Sequence, residues 1–204
     1  MTPSVRLIRH AESTANAGLP SKSPASTPLS ELGRQQAVAI RIPEPTLIVV
    51  SGYIRTSQTA EPTIARYPHV PVEVWPVEEF TFLNPAKYVN TTQEQRTPAV
   101  LAYLARNDPE YRDGGAAESF YDLLSRASET LDRLKLERYK GAAVFSHARF
   151  IQALRWIEEG RAGTPRDFLS WVDDHPVPNA SITSLCRRLV PRGWILGPPE
   201  LTRT

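Results

Sequence analysis

Three short apolar runs, each giving way abruptly to basic or imidazole side chains, constrain this chain more than any other feature. Val5, Leu7 and Ile8 lead into Arg9-His10. Leu47-Ile48-Val49-Val50 leads into Ser51-Gly52 and then Arg55. Ala142-Ala143-Val144-Phe145 leads into Ser146-His147. Runs this brief, built from β-forming residues, read as strands, and apolarity without alternation places a strand inside a sheet covered on both faces. Helical patterns lie between them. Ser30 is a natural N-cap for residues 31–40, with Leu32, Ala37 and Ile40 as the apolar face. A second helix begins near Arg55 and runs to about Arg66. Residues 118–136 carry the clearest helix, with Phe120, Leu123, Leu124, Ala127, Leu131 and Leu134 at spacings of three and four. Phe150, Ile151, Leu154 and Ile157 mark another, and residues 165–171 a shorter one. Strand and helix in alternation give an α/β fold, a three-layer α/β/α sandwich around a mostly parallel sheet.

The remaining segments decorate this core. Residues 70–75 alternate as a strand, and Pro71 assigns it to a sheet edge. Residues 182–190 and 193–196 read as a terminal hairpin. Residues 17–28, rich in Ser, Pro, Ala and Thr, form a loop longer than an ordinary connection. Residues 81–117 lack a βα rhythm: 82–96 read as irregular, and 98–106 as a short helix with Leu101, Leu104 and Ala105 available for packing. The 204 residues fit one domain, 1–204, with 81–117 as a cap or side wall.

A composition of 41% hydrophobic and 23% charged residues is that of a globular protein. The net charge of +2 gives no reason to expect nucleic acid or an anionic membrane as a partner. No apolar run approaches the ~20 residues of a membrane span. The single cysteine, Cys186, rules out an internal disulfide framework and reads as a packed thiol in a strand. With the first strand starting almost at once, no signal peptide is expected, and the expected location is cytoplasmic.

Ligands of parallel α/β sheets bind beyond the carboxyl ends of the strands. Three such ends carry Arg9 and His10, Arg55, and His147, so two of only four histidines fall there. There is no Gly-x-x-x-x-Gly-Lys loop, no Gly-x-Ser-x-Gly elbow and no Cys/His metal spacing. Zinc would accept two imidazoles with Glu79 or Glu12, but the neighbouring arginines would repel it, so neither metal nor other cofactor is expected. Arginine beside imidazole suits a phosphoryl group instead. Guanidinium forks match phosphate oxygens and stay charged, while a neutral histidine can attack phosphorus. Arg55, at a helix start, is electrostatically misplaced unless an anion joins it. A carboxylic acid must protonate the leaving oxygen, and Glu79 is available, with Glu78 in reserve.

Arg9-His10-Ala11-Glu12 with Asn16 resembles the Arg-His-Gly-Glu signature of the histidine phosphatase superfamily, the phosphoglycerate-mutase-like proteins. Further matches follow in order across nearly the whole chain. Pro28-Leu29-Ser30-Glu31-Leu32-Gly33-Arg34-Gln35-Gln36-Ala37 is similar to that family's helix entry. Residues 51–60 resemble its Ser, Arg, Thr-Ala segment, residues 115–120 its Gly-Glu-Ser helix start, and Ser146-His147 its second histidine. The resemblance implies that His10 is the phosphorylated nucleophile and that Arg9, Arg55 and His147 form the phosphate pocket with Asn16 and Ala148. It implies Glu79 as proton donor, because Ala148 stands where some members carry an acid. Two departures stand out: Ala11 and Ala148 replace customary glycines, which would matter if either backbone needed positive φ.

The expected function is a metal-independent phosphatase acting on a small phosphomonoester through a phosphohistidine. A mutase-type phosphotransferase is the alternative, as is a catalytically weak phospholigand-binding protein on the same fold. Substrate choice is expected to reside in residues 17–28 and 81–117, with Tyr88, Arg96, Tyr103, Tyr111 and Arg112 as candidate contacts. Arg149 reads as surface charge, Asn179 as a turn residue, and His69 and His175 as incidental.

Overall fold

The computed structural model describes residues 4–187 and 194–196. Its centre is a six-stranded sheet of order β3-β2-β4-β1-β5-β6, formed by β1 (Val5–Arg9), β2 (Ile48–Val50), β3 (Val72–Val74), β4 (Ala143–Ser146), β5 (Ile182–Arg187) and β6 (Trp194–Leu196). The first four strands are mutually parallel, in registers such as Arg9↔Ser146 and Val50↔Phe145. β5 runs antiparallel to β1, and β6 antiparallel to β5. β3, which Pro71 immediately precedes, is an edge strand, as that proline predicts. Cys186 lies in β5; its side chain, and residues 188–193 of the expected hairpin, lie outside the described residues.

Alternation along the strands divides the core into two layers. Ile8, Ile48, Val50, Ala143 and Phe145 pack against α1 (Glu31–Ala39) and α2 (Ile54–Arg66). Leu7, Val49 and Val144 face the opposite way, toward α4 (Phe120–Leu134), α5 (Ala148–Glu158) and α6 (Pro165–Asp174). The result is the expected three-layer α/β/α sandwich. On the second face α4 buries Phe120, Leu123, Ala127, Leu131 and Leu134, one continuous stripe. No described helix is long and apolar enough to cross a membrane.

Two local expectations are corrected. The helix of the excursion, α3 (Gln93–Arg106), starts five residues before Pro98, because Thr92 and Gln95 form a capping box that nucleates it there. Its buried residue is Tyr103, whereas Leu101 is exposed. In α1, Leu32 is 47% exposed, and the buried positions are Gly33 and Ala37. The helix turns its smallest residue inward because it lies directly against the backbone that follows β1.

Candidate active site

β1, β4 and β2 are parallel neighbours, so their carboxyl ends open side by side. The ladder runs one residue past β1, with the His10 N–H donating to the Ser146 carbonyl at 2.9 Å. His147 follows β4 directly and is the N-cap residue of α5. The turn after β2 starts α2, in which Arg55 is the second residue. Topology thus gathers Arg9, the last residue of β1, with His10, Arg55 and His147, from positions scattered over the sequence.

His10 is buried, and its Nδ1–H donates to the Ala11 carbonyl at 2.7 Å. A carbonyl can only accept, so the proton sits on Nδ1 and the lone pair on Nε2. Burial first, then the charges of Arg55 and Arg9, hold His10 well below the usual histidine range. It is a neutral imidazole with a basic nitrogen, the state a nucleophile needs. Arg9 Nη1 donates to the Val177 carbonyl at 2.6 Å, while its buried Nε has no protein acceptor. An orphaned buried guanidinium N–H beside a neutral imidazole marks a place for an anion. Arg55 Nη1 is fixed by the Pro24 carbonyl at 2.6 Å. Burial pulls its guanidinium down to about 10, which leaves it charged at neutral pH.

His147 is wholly buried, and its ring centroid lies 5.0 Å from that of His10. Its Nδ1 meets Arg55 Nη2 at 2.9 Å and its Nε2 meets Ser51 Oγ at 2.8 Å. Arginine has no acceptor, so Nδ1 carries the lone pair and Nε2–H donates to the serine. Both ring nitrogens are therefore engaged, and the side chain stands behind Arg55 rather than on the cavity wall. Burial and the Arg55 charge keep it neutral.

Glu79 and Glu78 separate cleanly. Glu79 lines the cavity, and its Oε1 accepts from the backbone N–H groups of Phe80 at 3.1 Å and Arg149 at 2.8 Å. The second of these caps the start of α5, whose N-cap residue makes no side-chain cap of its own. Glu78 instead accepts from the Gly52 N–H at 2.8 Å and holds the turn before α2. The segment carrying both is anchored from α4. Arg126 donates to the Pro76 and Glu78 carbonyls at 2.9 and 3.0 Å and pairs with Glu118 at 2.8 Å. The Gly-Glu-Ser resemblance thus has a mechanical content: Glu118 fixes the arginine that fixes the Glu79 loop, and Ser119 caps α4.

Asn16 lines the cavity with its Oδ1 occupied by Ser13 N–H and Oγ–H and by Asn179 Nδ2, so its own amide N–H groups are what it can offer a ligand. Asn179 Nδ2 also donates to the His10 carbonyl at 3.0 Å, a clamp beyond the expected turn role. Ala11 and Ala148 are absent from the non-glycine residues of positive φ, which are Asn90, Asn107 and Ala180 among the described residues. Ala11 is fully buried among apolar neighbours and donates its N–H to Thr59 Oγ1 at 3.0 Å. Its methyl fills space without bending the backbone. The obligatory glycine is Gly33, where a β-carbon would meet the Glu12 carbonyl oxygen at 1.9 Å. Ser30 donates to the Glu12 carboxylate at 2.6 Å, and Gln36 Oε1 accepts the Glu12 N–H at 2.9 Å.

These groups open onto a cavity of about 710 Å³, lined also by Tyr88, Arg96, Lys22 and, against expectation, Arg149. Arg149 reaches it because Glu79 holds the first turn of α5 at the cavity wall. Three candidate contacts do not reach the lining: Tyr103 packs in the core, Tyr111 lies against Arg106, and Arg112 pairs with Asp122. His69 pairs with Glu44 at the surface and His175 stacks on Trp171 at 4.2 Å, so both stand apart from the site. Among the described residues no group of three or more His, Cys, Asp or Glu could hold a metal.

Comparison with known proteins gives the same picture. Residues 5–188 match the histidine phosphatase superfamily (branch 1). A search of curated proteins gives no match. A mycobacterial glucosyl-3-phosphoglycerate phosphatase in complex with VO3 is 25% identical, with 96% of this chain and 97% of that chain covered at a TM-score of 0.71. A mutant phosphoserine phosphatase from Entamoeba histolytica, bound to phosphoserine, shares the fold at 20% identity, 98% coverage of each chain and a TM-score of 0.75. The α-ribazole phosphatase of Shigella flexneri does so at 21% identity, 91% coverage of each chain and a TM-score of 0.71. With the fold, the ordered motifs and a match over nearly its whole length in agreement, this chain belongs to the histidine phosphatase superfamily, branch 1.

Proposed function

We propose that the protein is a phosphatase that hydrolyses a small phosphomonoester through a phosphohistidine on His10, without a metal. The observation that carries this reading is the neutral His10, protonated on Nδ1, beside two arginines, one with an orphaned buried N–H. The Nε2 lone pair attacks phosphorus as the bond to the leaving oxygen breaks. Arg9, Arg55 and the Asn16 amide stabilise charge on the equatorial oxygens. Glu79, its Oε1 held by two N–H groups, serves as the general acid and gives a proton to the leaving alkoxide. The resulting carboxylate takes a proton from water, whose oxygen attacks phosphorus. The phosphorus–nitrogen bond breaks, phosphate departs, and His10 and Glu79 return to their starting states. His147 acts through Arg55, which it orients, and Ala148 shapes the wall where α5 begins.

The VO3 complex of the mycobacterial phosphatase and the phosphoserine complex of the amoebal one support a phosphate-sized oxyanion as the ligand of this fold. The test is release of phosphate from an aryl phosphate in the presence of a chelator. Turnover that survives the chelator and disappears in His10→Ala supports the reading. Turnover that needs a metal, or persists in His10→Ala, contradicts it.

A further inference from the structure

One aromatic side chain beside the site has no part in the chemistry. Tyr53 closes the turn between β2 and α2 as the N-cap residue of α2, and its side chain makes no cap hydrogen bond there. It stands behind the cavity wall rather than on it, out of reach of a ligand. What it touches instead belongs to both halves of the machinery. The Arg55 guanidinium lies over its ring, 4.8 Å from the centroid, and the His147 ring meets it T-shaped at 5.2 Å. The Pro24 carbonyl and His147 Nδ1 already hold Arg55 at its Nη1 and Nη2 edges. The phenol ring covers a face of the same planar group, a cation–π contact that strengthens in a desolvated site. It thereby restrains the guanidinium in the direction that the edge hydrogen bonds leave free.

The hydroxyl of the same side chain reaches the proton-donor loop. Tyr53 Oη meets Thr81 Oγ1 at 3.3 Å. The Thr81 hydroxyl has one proton and donates it to the Glu79 carbonyl at 3.1 Å, so the phenol is the donor to Thr81. Burial above all raises the Tyr53 pKa, and its O–H stays intact at neutral pH. The Glu79 carbonyl and the Phe80 N–H are the two ends of one planar peptide unit. That N–H donates to Glu79 Oε1 at 3.1 Å. Fixing the carbonyl therefore fixes the group that aims the carboxyl. Two other ties between these segments do not involve the phenol: Glu118 Oε1 accepts the Thr81 N–H at 3.0 Å, and Glu78 Oε1 accepts the Gly52 N–H at 2.8 Å. The backbone therefore keeps its course when the phenol oxygen is removed.

We propose that Tyr53 is a positioning residue that links the phosphate-binding arginine to the proton donor. Its ring holds Arg55, and its hydroxyl holds, through Thr81, the peptide that aims the Glu79 carboxyl group. This rests on the reading of His10 as nucleophile and Glu79 as proton donor. The experiment measures kcat/KM, which reports phosphorylation of the enzyme, for phenyl phosphate and para-nitrophenyl phosphate, together with inhibition by orthovanadate. Phenolate is the more basic leaving group and depends more on a donated proton. In Tyr53→Phe, kcat/KM for phenyl phosphate is expected to fall by about ten-fold, with a much smaller fall for para-nitrophenyl phosphate and vanadate inhibition retained. In Tyr53→Leu the same selective loss is joined by vanadate inhibition about ten-fold weaker. In Tyr53→Phe/Thr81→Val the selective loss equals that of Thr81→Val alone, as one shared route requires. Each variant is verified as folded by its thermal transition. An equal loss on both substrates in Tyr53→Phe, or no loss on either, overturns the link to the donor. Unweakened vanadate inhibition in Tyr53→Leu overturns the hold on Arg55, and additive losses in the double variant overturn the route through Thr81. Glu79→Gln is the reference. A selective loss there with none in Tyr53→Phe removes this proposal alone, whereas no selective loss in Glu79→Gln removes the donor assignment with it.

Discussion

At the scale of single residues, the site depends on close approach more than on unusual dihedral angles. Ala11 and Ala148 take the place of customary glycines at no backbone cost, since neither adopts positive φ. The glycine that cannot be exchanged is twenty-three positions beyond the nucleophile, where α1 touches the Glu12 carbonyl. Gly33→Ala would put a methyl 1.9 Å from that oxygen, and the oxygen is backbone, so helix or loop must move. We expect a loss of about 3 kcal/mol in chemical denaturation, together with lower kcat, because the displaced segment carries Arg9 and His10. A variant that kept both stability and activity would show that α1 does not position the nucleophile.

At the scale of elements, the helices act as fixtures for loops that bear function. α4 presents Glu118 and Arg126, and this pair holds the carbonyls of Pro76 and Glu78, so Glu79 arrives at the start of α5 in one orientation. Both side chains are mostly buried, at 17% exposure each. Arg126→Ala leaves Glu118 unpaired and two carbonyls without a donor, at a cost of roughly 2–3 kcal/mol. Because the loop it frees carries the proposed proton donor, kcat should fall more than KM rises. An equal change in both would point to a purely structural role. The same elements show what could be read from the chain beforehand. Short apolar runs identify β1, β2 and β4 and their function-bearing ends, and the period of 118–136 identifies α4. The start of α3 was hidden because Pro98 is an attractive first residue while the Thr92–Gln95 box before it is subtle. Periodicity places Leu32 on the apolar face because it cannot tell that Gly33, its neighbour, must face a backbone. Arg126 gives no signal in the sequence, and what Ser51, Thr59 and Asn179 hold in place is equally hidden, since each acts through a partner at least 48 positions distant that only the fold brings near. Arg149 was hidden for a related reason: its place at the cavity depends on a hydrogen bond to Glu79 from 70 positions away.

At the scale of the whole molecule, two histidines are buried neutral among arginines, and this couples stability to pH. Both are held well below their ordinary value of about 6.5, by burial first and arginine charge second. In the unfolded chain they bind protons near pH 6.5; in the native state they do not. The unfolded state therefore gains protons as pH drops through 6.5, and native stability falls until the depressed native values are reached. Well above about pH 6.5 the two groups contribute no slope. Each adds up to about 1.4 kcal/mol per pH unit within the window. Urea midpoints at pH 7.5 and 5.5 should differ in this direction, and His10→Asn should reduce the difference. Stability that rose on acidification would contradict the neutral assignment. The coupling between site and fold is deliberate in its geometry: the same burial that costs stability in acid keeps the proposed nucleophile deprotonated at neutral pH.

The central claim is that phosphorus bonds transiently to His10 Nε2. The most direct measurement is rapid quench of the enzyme with labelled phosphomonoester, followed by peptide mapping. We predict an acid-labile, base-stable phosphoryl group on the peptide containing His10, formed and lost at rates compatible with turnover and absent from His10→Ala. Turnover with no label on that peptide, or a label that persists in His10→Ala, would contradict the account.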